Sequence, residues 1–216
     1  MINVYHNSID DRSGADHLYQ SPSGNNIIGE CRFFFSEEEI KKKKIKIDFI
    51  VVYNRCTSSN LLKKINLKNT LLIAMEPPSV HSYKDKYTNQ FEHVFCSDPT
   101  YSGLNKKQGP FVTPWSVGQR RTRIGLVNYK NSDEITFSNL KKMIFKKKKL
   151  ISVVETSKRL CKEQIIRNDI IQSLKKEFPS YIDSFGRDTN HIEDKLDALK
   201  DYHYHICISN YWGKDH

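Results

Sequence analysis

No apolar run in these 216 residues reaches membrane-spanning length, and no apolar leader segment follows Met1. The expected location is therefore the cytoplasm, with a peripheral position on the inner membrane as the variant. Cysteine is sparse and unpaired: Cys31, Cys56, Cys96, Cys161 and Cys207 stand singly, with no C-x-x-C among them. The odd count and wide spacing exclude a disulfide scaffold and a zinc cluster. They fit buried thiols in a reducing compartment. No internal repeat is visible, which removes repeat architectures from consideration. Acidic residues are in deficit, 25 against 35 Lys plus Arg, for a net charge of +10.

What is present is a globular composition, 38% hydrophobic and 11% aromatic, at a length that suits one large domain or two small ones. The positive balance invites phosphate-bearing partners: nucleic acid, anionic lipid or a nucleotide. Much of the excess sits in KKKKIK at 41–46 and KKMIFKKKK at 141–149, between apolar segments. Both read first as solvated connectors, with weak attraction to an anionic membrane surface as the functional alternative. A single-strand nucleic-acid binder interleaves aromatics with basic residues on one surface. Here most aromatics fall in predicted strands, so no nucleic-acid partner is expected. The competing class, a non-catalytic nucleotide- or nucleic-acid-binding α/β protein, predicts salt-dependent oligonucleotide binding.

The opening 26 residues are polar and turn-rich, with one short strand. Short β-branched runs follow: Ile47–Tyr53, Thr70–Met75 and Glu92–Cys96 in the first half, then Leu150–Val154, Tyr181–Phe185 and His205–Ile208. Continuous apolar runs of this length are expected of strands buried on both faces. Between them lie helical patterns. Residues 61–67 form a short helix or turn, and Ser79 opens a helix over 79–91. Residues 157–178 form a long helix with Ile165, Ile166, Ile170 and Leu174 inward, ended by Pro179. Residues 192–201 form a helix with Leu196 and Leu199 inward. Strand–helix–strand repetition implies α/β architecture with parallel sheets. The pattern divides into 1–125, a basic connector at 126–149, and 150–216.

Ligands of such folds sit at strand carboxyl ends. That rule selects Glu76-Pro77-Pro78, Ser97-Asp98, Glu155-Thr156-Ser157 and Ser209-Asn210-Tyr211. Glu76 directly follows a buried strand, and two prolines fix the chain beyond it. A carboxylate in a partly desolvated cleft can serve as a general base; taken alone, Glu76 reads first as a helix-capping residue. Arg167 lies near the apolar face of the long helix, where a guanidinium can bind a diphosphate bidentately; taken alone it reads first as a snorkelling arginine. His203 and His205 have strand spacing i, i+2, with no third ligand to make a metal site.

Asp183, Gly186, Lys195, Leu199, Tyr202, His205 and Asn210 stand at positions matching a known signature. This stretch resembles the donor-domain signature of family 10 glycosyltransferases, the α1,3/4-fucosyltransferases and their bacterial relatives. The first half agrees: SPSGNNIIGECRFFF at 21–35, DFIVVYN at 48–54 and MEPPSVHSY at 75–83 resemble the acceptor domain of the bacterial members. The similarity covers nearly the whole chain.

The resemblance implies a GT-B-like fold of two Rossmann-like domains, the second incomplete. It implies an inverting fucosyltransferase-like enzyme with a GDP-sugar donor, usually GDP-fucose, and no required metal or other cofactor. The acceptor is a glycan hydroxyl, in lipopolysaccharide or surface-glycan synthesis. Glu76 matches the catalytic base and Arg167 the arginine on the donor diphosphate. Asn210 matches the asparagine near the nucleotide, and Ser209, Tyr202 and Gly186 fall within the donor-binding signature. Two departures stand out. Ser209 replaces the family's glutamate, which puts the donor sugar's identity in question. The family also continues into a T-E-K segment beyond the point where this chain ends. The expectation is a chain truncated inside its donor domain, with weak or no turnover of GDP-fucose.

Overall fold

The computed structural model describes residues 1–8, 26–56, 60–74, 76, 81–96, 101, 103, 105–108, 117 and 137–209. The chain divides into two compact units, each built on its own sheet.

The first sheet has seven strands: β1 (Ile2–Asn7), β2 (Ile27–Ile28), β3 (Cys31–Phe34), β4 (Phe49–Tyr53), β5 (Thr70–Ala74), β6 (His93–Cys96) and β7 (Lys106–Gln108). Their spatial order is β2-β3-β1-β4-β5-β6-β7. Every neighbouring pair is parallel except the β2–β3 hairpin at the edge. The short β-branched runs become strands because both faces of a central parallel strand are covered. Ile50, Val52, Leu72 and Val94 are 0–1% exposed, and each contributes about 1.5–3 kcal/mol by leaving water. Phe91, Ile40 and Phe34 close the same core.

Helix α1 (Glu37–Lys42) returns the chain between β3 and β4. Ser36 caps it by accepting the Glu39 N–H at 3.2 Å, three glutamates occupy its first turn, and Ile40 is its buried residue. Both features suit the positive end of a helix. The lysine run at 41–46 straddles its end. Lys41 pairs with Glu37 at 3.0 Å and Lys43 with Glu39 at 2.7 Å, while Lys42, Lys44 and Lys46 are exposed. The short helix α2 spans Asn60–Lys64, overlapping the turn or helix expected at 61–67.

The expected helix over 79–91 is reduced to one turn, α3 (Asp85–Thr88). Lys84 stands at its N-cap, residues 81–84 lie outside it, and Ser79 lies outside the described residues. The helical spacing of Tyr83, Tyr87 and Phe91 is nevertheless real. Their rings form one column, with centroids 6.5 Å and 5.5 Å apart. The helix starts late because Tyr83 must reach Asn54, as described below.

The second sheet is parallel with order β10-β8-β9: β8 (Lys149–Glu155), β9 (Ile182–Gly186) and β10 (Tyr202–Ile206). The last strand begins three residues before the expected His205, because Tyr202 pairs with Lys149 and is itself buried. Short helix α4 (Phe137–Leu140) lies inside the expected connector, and Lys149 already belongs to β8.

Helix α5 (Lys162–Glu177) is shorter than expected and turned about its axis. Its buried residues are Gln164, Asn168 and Ile171, whereas Ile165 and Ile170 are exposed and Leu174 is half-buried. Two side-chain amides explain the rotation. Gln164 Oε1 accepts the Leu160 N–H at 2.8 Å, and Asn168 Nδ2 donates to the Lys158 carbonyl at 3.0 Å. These bonds satisfy backbone groups of a loop that would otherwise lose water without compensation. The same loop, Thr156 to Leu160, is why the helix does not begin at Ser157. The expected helix at 192–201 is only a 3-10 turn, Lys195–Ala198, capped by Asp194 Oδ1 on the Leu196 N–H at 2.8 Å. Leu196 is buried as expected, and Leu199 is half-buried.

At the amino end of this sheet, Asp183 Oδ2 accepts from Lys149 Nζ at 2.8 Å and from Tyr202 Oη at 2.5 Å. One residue from each of the three strands is thereby tied to the others. The Lys149 ammonium, chiefly, and the Tyr202 hydroxyl hold the Asp183 carboxyl below the usual aspartate range. A depressed carboxylate stabilises the fold above its unfolded value, about 3.9, and that contribution disappears as pH falls through the folded value. Asp183→Asn is therefore expected to lower the urea midpoint at pH 7 and to flatten its decline below about pH 4. An unchanged acid limb in the variant would contradict this.

Candidate functional site

In the first unit the carboxyl ends of β4 and β5 carry a polar aromatic cluster. Asn54 follows β4 in the left-handed conformation, φ 57, and its N–H donates to the Ile73 carbonyl at 2.9 Å. Asparagine tolerates this geometry better than most residues. Tyr83 Oη donates to Asn54 Oδ1 at 2.7 Å. Tyr87 Oη donates to the Asn54 carbonyl at 3.2 Å and accepts the Cys56 N–H at 3.0 Å. Burial pushes the Tyr87 hydroxyl well above the usual tyrosine range, so it stays neutral. His81 packs edge-on against Tyr83 at 4.7 Å.

Glu76 stands beside this cluster, with its N–H 3.4 Å from Tyr83 Oη. Its backbone is thus anchored through Tyr83 and Asn54, while the residue is exposed. The sequence suggested a partly desolvated carboxylate; within its own unit Glu76 is in water, because it lies past the last covered residue of β5. Pro77 and Pro78 lie outside the described residues, as do Ser97 and Asp98.

In the second unit the carboxyl end of β8 is organised by Glu155, whose side chain is 7% exposed. Oε1 accepts from Lys175 Nζ at 2.7 Å and from Ser184 Oγ, and Oε2 accepts from Gln172 Nε2 at 3.1 Å. Gly186 pairs with Glu155 across β8 and β9. Its φ is +156°, and a Cβ there would lie 2.2 Å from the Glu155 carbonyl oxygen. Only glycine permits the two strand ends to run so close. The turn beyond is closed by the Gly186 N–H on the Asn190 carbonyl at 3.1 Å and by Asn190 Nδ2 on the Ser184 carbonyl at 3.0 Å. Asp188 in this turn accepts the Ser157 hydroxyl at 2.5 Å and its N–H at 3.3 Å. Those bonds hold its carboxyl below the usual range.

Arg167 lies on α5 over this end of the sheet. Burial lowers its pKa, and the opposing influences of Cys161 and Glu155 are smaller. Its Nη2 reaches only Asn168 Oδ1, at 3.4 Å, and its Nε is buried with no hydrogen-bond partner among the described residues. Such a guanidinium has several donors and almost no acceptor. One turn earlier on the same helix, Glu163 Oε2 is also buried without a hydrogen-bond partner among the described residues.

The chain matches no family model, no curated protein and no solved structure.

The structure thus places two of the sequence-selected residues, Arg167 and Gly186, at the Glu155 end of the sheet. Ser209 is half-buried three residues past β10. Asn210 lies outside the described residues. Tyr202 stands at the opposite, amino end, its hydroxyl committed to Asp183. His203 is exposed. His205 is held by Ser152 Oγ at 2.8 Å, and Ser152 donates its single proton to the Ala198 carbonyl. His205 Nδ1 must therefore be the donor, and burial lowers its pKa. No group of three or more metal-ligating side chains occurs among the described residues, and no described helix is long and apolar enough to cross a membrane. Sequence reasoning had marked Glu155 as a strand end but not as the hub it is. Its partners Lys175 and Gln172 carry no signal in a lysine-rich helix, whereas Ser184 was readable from its place in β9.

Proposed function

We propose that this chain is a fucosyltransferase-like, inverting glycosyltransferase of GT-B type that uses a GDP-sugar donor. The observation that carries the reading is Arg167: a half-buried guanidinium at the carboxyl end of a parallel sheet, short of acceptors. Parallel α/β sheets bind ligands at that end, and a diphosphate supplies the paired oxygens the guanidinium lacks. The resemblance of nearly the whole chain to family 10 glycosyltransferases supports the same assignment.

In this reading Glu76 takes the proton from an acceptor hydroxyl. The oxygen attacks the anomeric carbon from the face opposite the departing diphosphate. The C–O bond to GDP breaks with its electron pair going to the phosphate, and the configuration inverts. Arg167 meets the negative charge that develops on the leaving group. The acceptor is a glycan hydroxyl.

The test is titration calorimetry with GDP and with guanosine. GDP is expected to bind more tightly, and Arg167→Gln to weaken GDP by about tenfold or more while leaving guanosine unchanged. Equal affinity for the two ligands, or an Arg167→Gln chain that keeps GDP affinity, would remove the donor assignment. Glu76→Gln is expected to leave GDP affinity intact and, where turnover of GDP-fucose is measurable, to lower it by about 10²–10⁴. Unchanged transfer would remove Glu76 from the mechanism.

A further inference from the structure

The first unit has a concavity at the strand ends opposite those that carry Glu76. It is a cavity of about 700 Å³ between the edge of the sheet and α1, lined among others by Asn3, Arg32, Phe34, Glu39, Lys43 and Lys46. Asn3 is the second residue of β1, and Lys46 lies three residues before β4. Because these strands are parallel, the cavity opens at their amino ends, opposite the end that carries Glu76.

Its wall is built rather than incidental. Asn3 pairs with Arg32 across β1 and β3, so the two side chains leave the same face of the sheet. Asn3 Nδ2 donates to the Lys46 carbonyl at 2.9 Å, and the Asn3 N–H donates to Asp48 Oδ2 at 2.9 Å. These bonds fix the segment carrying Lys46 beside Arg32. Glu39 accepts Lys43 Nζ at 2.7 Å and so neutralises one of the three cations. Three cations against one carboxylate leave the lining at +2. Neither the Arg32 guanidinium nor the Lys46 ammonium has a hydrogen-bond or ion-pair partner among the described residues. The volume lies in the range of small-molecule sites.

We propose that this amino-end cavity binds a phosphate-bearing group, held by Arg32 through its paired N–H donors and by Lys46 as the second charge. Arginine suits the planar two-oxygen face of a phosphate, and lysine supplies a point charge. The site is independent of Arg167 and of the donor reading. The phosphate can belong to a free phosphorylated molecule or to an anionic lipid headgroup, and the experiment separates the two.

All variants carry Arg167→Gln, so that no donor-side phosphate contact contributes. Binding of inorganic pyrophosphate is measured by calorimetry. Binding to phosphatidylcholine vesicles with and without phosphatidylglycerol is measured by flotation. The pair Arg32→Gln/Lys46→Gln is compared with Lys42→Gln/Lys44→Gln, which removes the same charge from exposed positions that do not line the cavity. The first pair is expected to lose about tenfold or more in affinity and the second to keep it. Loss confined to pyrophosphate assigns a free phosphate ligand, and loss confined to phosphatidylglycerol vesicles assigns a lipid headgroup. No binding of either by the parent, or equal loss in the two pairs, overturns the proposal.

Discussion

Gly186→Ala is expected to destabilise the second unit by about 3 kcal/mol or more. The added Cβ would meet the Glu155 carbonyl oxygen at 2.2 Å, and φ is +156°. The oxygen is a backbone atom and the Cβ is fixed rigidly to one, both in paired strands, so neither can turn away as a longer side chain would. Relief requires the end of β9 to peel from β8, which breaks the Glu155–Gly186 register and the bond to Asn190. Strained backbone and core overpacking each cost on the order of 1–3 kcal/mol. Because two units need not unfold together, a single melting curve is the wrong readout. Amide hydrogen exchange over β8 and β9 reports this unit directly. Accelerated exchange there, with β4 and β5 unchanged, is the expected result; wild-type protection in β8 and β9 would show that the close approach is not obligatory.

Glu155→Ala is the second large effect, about 2–4 kcal/mol. Removing one member of a buried pair strands the other. Here the carboxylate serves Lys175, Ser184 and Gln172 together, and it is the more buried member of the ion pair, 7% exposed against 26% for Lys175. The solvent access of Lys175 keeps the cost toward the lower part of that range. A double-mutant cycle separates charge from shape. Glu155→Ala/Lys175→Met is expected to cost less than the sum of the single changes, because no buried ammonium is left unpaired. Additive effects would mean that the Ser184 and Gln172 bonds, rather than the ion pair, hold the end of β8.

The strands were legible where the chain offered short β-branched runs. IDFIVVY, TLLIAM, EHVFC and LISVV became β4, β5, β6 and β8 within one or two residues at most ends. The reason is simple: a parallel strand covered on both faces leaves no room for polar alternation. The β2–β3 hairpin and β7 were not read as strands. They are elements of two to four residues at or next to the sheet's edges, too short for periodicity to register. The helices were less legible than the strands. In α5 the isoleucines suggested one inner face, and the structure buries Gln164 and Asn168 instead, because a loop needed its backbone groups satisfied. In the 79–91 segment the aromatic spacing was helical, but the bond from Tyr83 to Asn54 held the first residues out of the helix.

The residues of the candidate sites were partly readable for the same kind of reason. Glu155 ends a strand and Glu76 and Ser209 lie just past strands, and strand ends are visible in one dimension. Tyr202 illustrates the limit, since its place in a motif gave no hint that its hydroxyl would close a clamp with Lys149 and Asp183.

The residue order alone determined the α/β class, the parallel pairing of most strands, and which strand ends carry polar groups, since these follow from local hydrophobic pattern and chain connectivity. Tertiary structure alone decided that Gly186 is required by a neighbouring carbonyl, that Glu155 gathers three donors, that Arg167 is short of acceptors, and that Arg32 and Lys46 share a cavity. Each of those depends on distances between segments many residues apart, and hydrophobic periodicity carries no information about such distances.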